Sequence, residues 1–188
     1  MKNLGLIFIM LVGSLLLTTN AWTQGWTAGD NVTLTVQDFC LIETNYAPVA
    51  LTLITSTAGA AVASTSNSDL FVKISSIVPG GTNREITAKI SSGTVPTGTA
   101  LTLVSAPCTT TNSGGILGTP VATPITLSAI DQDLVLGIGT CYTGTGYNDG
   151  YQMTFTWGPD SPSTNYGLIE SNTTNIIVVF TITAHDGN

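Results

Sequence analysis

Tyr151-Gln152-Met153-Thr154-Phe155-Thr156-Trp157 decides the fold class. Tyr151, Met153, Phe155 and Trp157 alternate with Gln152, Thr154 and Thr156. A period of two buries one face of a pleated strand and leaves the other to water. A helix would scatter the four large side chains around its circumference. Just ahead of the run, Asn148-Asp149-Gly150 is a turn signal that ends a loop over residues 142–150.

The same alternation recurs upstream. In residues 31–39, Val32, Leu34 and Val36 oppose Thr33, Thr35 and Gln37, and in 49–55 Val49, Leu51 and Leu53 oppose Ala50, Thr52 and Ile54. Residues 70–77 predict a further strand, ended by the turn Val78-Pro79-Gly80-Gly81. Strands are also expected over 84–90 and 100–105, with short ones over 125–127 and 133–138 around a turn at Asp131. Residues 107–124 are the least regular and predict an exposed loop or hairpin at Asn112-Ser113-Gly114-Gly115. Residues 175–184 are apolar on both faces where they begin, as in a strand covered on both sides in the middle of a sheet. No stretch after the first 21 residues sustains a helical period. Eight to ten short strands with frequent turns predict a single antiparallel β-sandwich, immunoglobulin-like or jelly-roll.

Residues 1–21 predict a secretory signal peptide. Lys2 precedes an apolar run from Leu4 to Leu17, and Thr19 and Ala21 are small residues before a cleavage point. The run is too short for a permanent anchor, so no membrane insertion is expected after cleavage. Residues 22–30 then form a flexible lead-in and 31–188 one β-sandwich domain, secreted to the cell surface or beyond.

Loss of Lys2 takes the net charge from −7 to −8 and leaves Lys73, Arg84 and Lys89 as the basic residues. Such a chain cannot neutralise phosphates, which excludes nucleic acid as a partner. Only 8 % of residues are charged while 43 % are hydrophobic, so the chain can build a core yet keeps a neutral Thr, Ser and Asn exterior. That exterior suits packing against copies of itself.

Three cysteines lie in the exported part, where disulfides persist. Cys108 and Cys141 are the favoured pair, closing a loop of roughly 30 residues worth about 3–4 kcal/mol. Cys40 reads as a buried free thiol, although spacing alone leaves it open as a partner of either.

Catalytic chemistry finds little support. The single histidine, His185, lies in the C-terminal tail, where a catalytic triad could not hold it. Asp131, Asp133, Asp149, Asp160 and Glu170 sit mostly in turn contexts, where carboxylates cap backbone amides. No enzyme activity and no cofactor are expected. Structural Ca²⁺ at Asp131-Gln132-Asp133 or Asn148-Asp149-Gly150 is the one weak exception, without EF-hand spacing. Tyr142 and Tyr147, in a Gly- and Thr-rich loop, are the aromatics best placed to contact a ligand such as a surface glycan.

The signal segment, the alternating strand behind it, the Thr- and Gly-rich body, the loop-closing cysteines and the run from Ile176 to Thr183 together resemble the small secreted β-sandwich surface proteins of Gram-negative bacteria, pilin-like subunits included. The resemblance covers most of the mature chain and rests on style, with no diagnostic motif. It implies a non-enzymatic building block whose partners are copies of itself. Residues 31–39 would then be a donor strand, with Val32, Leu34 and Val36 filling a neighbour's groove. Alternatively they pair inside their own domain as its first strand. A secreted carbohydrate-binding module or adhesin is the rival function.

Overall fold

The stretch that begins at Tyr151 is a strand, and it lies inside the sheet. A computed structural model describes residues 28–161 and 164–184. Nine strands succeed one another: β1 (Phe39–Thr44), β2 (Thr65–Ile77), β3 (Arg84–Ser92), β4 (Thr99–Ser105), β5 (Gly114–Pro120), β6 (Ile125–Thr126), β7 (Gln132–Tyr142), β8 (Tyr151–Pro159) and β9 (Ile177–Ala184). The protein is all-β, and the nine strands form one antiparallel sheet, in the order β6-β4-β8-β2-β7-β3-β9, with β1 added to β2 and β5 to β7. A single 3₁₀ turn, Tyr166–Leu168, is the one helical element among the described residues. The expected signal segment and His185 lie outside the described residues.

β2 and β7 hold the sheet together, because each has three neighbours. β2 runs beside β8 from Thr65 to Val72 and then beside β7 at Ser75 and Ser76, while β1 covers its other edge. β7 pairs with β5 on one edge and with β3 on the other. The core forms where these strands converge. Ile86, Leu103, Leu134, Ile138, Tyr151 and Met153 are fully buried. As the alternation demands, Tyr151, Met153 and Phe155 point into it, whereas Gln152, Thr154 and Thr156 are half-buried. Tyr151 donates its hydroxyl to the Leu117 carbonyl, so the polar end of the ring is satisfied.

Several expectations are corrected. Residues 49–55 belong to no strand. Their alternation is real, since Leu51 and Leu53 are half-buried between exposed neighbours, but among the described residues no main-chain hydrogen bond joins them to a strand. The stretch 107–124 contains β5, whose Gly114, Gly115 and Gly118 make it read as loop. β9 is not central. Among the described residues it ends the sheet order and pairs only with β3, leaving Ile177 57 % exposed.

Candidate functional site

β9 is a strand with one unused edge. Arg84 to Ser92 of β3 pair with Ala184 to Ile177 along one side, and among the described residues no strand pairs with the other. Val178, Phe180 and Ile182 pack against the core, while Ile177 and Val179 face outward. Unpaired amides and carbonyls flanked by apolar side chains form a template for another strand. β1 is likewise paired on one side only, to β2.

These two edges meet near the β2–β3 turn, where Arg84, opposite Ala184, forms an ion pair with Asp38 just before β1. They part toward Thr44 and Ile176, and a groove of about 810 Å³ opens there. Leu70, Leu101, Phe155 and Trp157 form its apolar floor. Its walls come from residues 44–53 and 169–176. Among the described residues, no main-chain hydrogen bond joins 48–56 or 170–176 to another segment. Backbone polar groups beside an apolar surface require partners, which water or an added strand can supply.

Residues 28–38 lie in no strand, and the first strand begins at Phe39. The register explains this. Phe39 is opposite Ile77, the last residue of β2, so the chain ahead of Phe39 has no β2 edge left to follow. Val32, Leu34 and Val36 are 80 %, 89 % and 77 % exposed. Three apolar side chains in strict alternation are thus left in water.

All three cysteines are free thiols in the structure. Cys40 and Cys141 both register with Ser76, from opposite edges of β2. Two strand spacings, about 10 Å, separate them, which is beyond the reach of a disulfide. Cys108 packs against the core that contains Cys141. Burial, and next the neighbouring Cys108, push the Cys141 thiol up to about 11. The folded state therefore favours the neutral thiol, and its contribution to stability is complete below the ordinary value of 9.0. In the reduced protein, urea unfolding should show on the order of 3 kcal/mol lost between pH 9 and 11. Cys141→Ala should flatten the early part of that loss. Burial of Tyr151, followed by Cys141 and Cys108, raises its phenol as well and extends the decline to higher pH.

Two of the turn carboxylates, Asp131 and Asp149, are occupied. Asp131 accepts from Lys89 at 2.6 Å and from Thr87. Asp149, only 7 % exposed, accepts from the Gly146 amide at 2.7 Å and from Asn112. Among the described residues no three acidic, histidine or cysteine side chains gather as metal ligands. The structure also separates the two tyrosines. Tyr142 lies over Gly114, where a side chain would collide with its ring. Tyr147 instead lines a separate pocket with Phe71. No family model matches the chain, and no curated protein or solved structure was found to be similar to it.

Proposed function

We propose that this protein is a secreted, non-enzymatic structural subunit that assembles with copies of itself by β-strand donation. In this reading residues 1–21 are removed on export and the sheet folds over its core as a β-sandwich. Residues 31–37 of one copy enter the groove of the next and pair with the free edge of β9. The observation that carries the reading is the match between an exposed alternating segment at Val32, Leu34 and Val36 and an apolar groove beside an unpaired edge. The charge-poor surface opposes close packing of copies only weakly.

Export to an oxidising compartment also joins Cys108 to Cys141, since Cys108 packs against the core that contains Cys141. Peptide mapping of the unreduced secreted protein should return those two cysteines linked and Cys40 alkylated; a Cys40 linkage would refute the pairing. Negative-stain microscopy of the purified mature protein, and of material sheared from producing cells, tests the assembly. Filaments of uniform width are expected, and single subunits in both samples would sink the reading.

A further inference from the structure

A second concavity, of about 370 Å³, lies beside the bulge in β2. Phe71 and Tyr147 give it aromatic surface, and Asp69, Asn148 and Gln152 give it hydrogen-bonding groups. Both walls are fixed from behind by buried polar side chains. Asn45, 7 % exposed, donates to the Asp69 carbonyl at 2.9 Å and accepts from the amides of Phe71 and Ala47. It thereby ties the wall at Ala47 and Pro48 to the bulge. Asp149 ties down the opposite loop, which carries Tyr147 and Asn148, through the Gly146 amide and Asn112. The floor is held by Gln152, whose amide donates to the Ser68 carbonyl at 2.9 Å.

Tyr147 is nonetheless 63 % exposed. A large aromatic held open to water over a polar floor is poor packing but a good platform for a ring with one apolar face and many hydroxyls. We infer that this pocket binds a neutral hexose, whose C–H face stacks on Tyr147 while its hydroxyls bond to Asp69, Asn148 and Gln152. The volume falls within the range of small-ligand sites. No basic side chain lines the pocket and Asp69 does, so an anionic sugar is disfavoured.

The test is a two-dimensional NMR titration of the mature protein with D-glucose, D-galactose and D-mannose, each carried to about ten times a millimolar Kd. N-acetylneuraminate serves as the anionic control. At least one hexose should give saturable shifts at the Gln152 side-chain amide and the Tyr147 ring. Tyr147→Ala should weaken binding at least tenfold, and Tyr147→Phe, which keeps the stacking face, by no more than about twofold. Since Tyr147 is exposed, both variants should keep the wild-type spectrum elsewhere. Methyl glycosides separate two sources of the same chemistry: unchanged affinity assigns the pocket to a glycan terminus, and lost affinity to the free sugar. Absence of saturable shifts with all three hexoses would overturn the inference. So would equal binding of N-acetylneuraminate, or affinity that survives Tyr147→Ala.

Discussion

Replacing Val32, Leu34 and Val36 together by Asp should abolish assembly while leaving the folded subunit intact. The three side chains are almost wholly in water in the single chain, so their loss removes no intramolecular packing. Surface changes of this kind shift stability by about 0.5 kcal/mol or less each, so Tm should move by no more than about 6 °C. In the assembled state each side chain would be buried in a groove floored by Leu70, Leu101 and Phe155. Burying such a side chain contributes at least about 1.5 kcal/mol, so three carboxylates in their place should raise the critical concentration by roughly a thousandfold or more. Sedimentation of filaments against total protein reads this directly. Filaments at wild-type concentration would remove residues 31–37 from the mechanism, whereas a wild-type protein that never sediments would remove assembly itself.

The second large effect is expected at Gly150, and it concerns the fold. Gly150 has φ of +104°, and a Cβ there would lie 2.2 Å from the Val72 carbonyl oxygen. Val72 cannot step aside, because it pairs with Thr44 on one edge of β2 and with Tyr151 on the other. Gly150→Val combines a backbone conformation hostile to β-branched residues with a collision against fixed main chain. A loss of about 4 kcal/mol is expected, a large part of the stability of an ordinary domain. Gly167→Ala is the control, since its Cβ would meet nothing within 4 Å. Equal urea midpoints for the two variants would show that the loop from 143 to 150 gives way more easily than its hydrogen bonds imply.

Much of the sheet could be read from period-two patterns, and the exceptions share a cause. Alternation reports that one face of a segment is buried; it does not report that a neighbouring strand is present. Residues 49–55 alternate because Leu51 and Leu53 wall the groove, yet they pair with nothing. β9 carried the composition of a central strand and stands at an edge, since composition registers the surface a strand will have covered and not who covers it. β5 was hidden by its glycines, one of which, Gly114, leaves room for the ring of Tyr142. Asp149 caps the Gly146 amide as a turn carboxylate is expected to, but nothing local foretells that Asn112, from far back in the chain, will also enclose it. Of the two tyrosines singled out, Tyr147 lines the pocket beside the β2 bulge, and its partners there, Asp69 and Phe71, come from a strand far back in the chain.

The pairing of β3 with β9 also sets an order of events in time. Arg84 must wait for Ala184, and Ile86 for Ile182, before that ladder can close. Contacts so distant along the chain make for slow folding, on the scale of milliseconds to seconds. Until residues 177–184 have been synthesised and delivered, the β3 edge stays open and the β9 edge does not exist. A chain stopped at residue 176 should therefore expose β3 in place of β9 and associate without register. Synthesis of residues 177–184 is in this way a checkpoint, and on the proposed reading only a chain that has passed it can offer a neighbour the β9 edge.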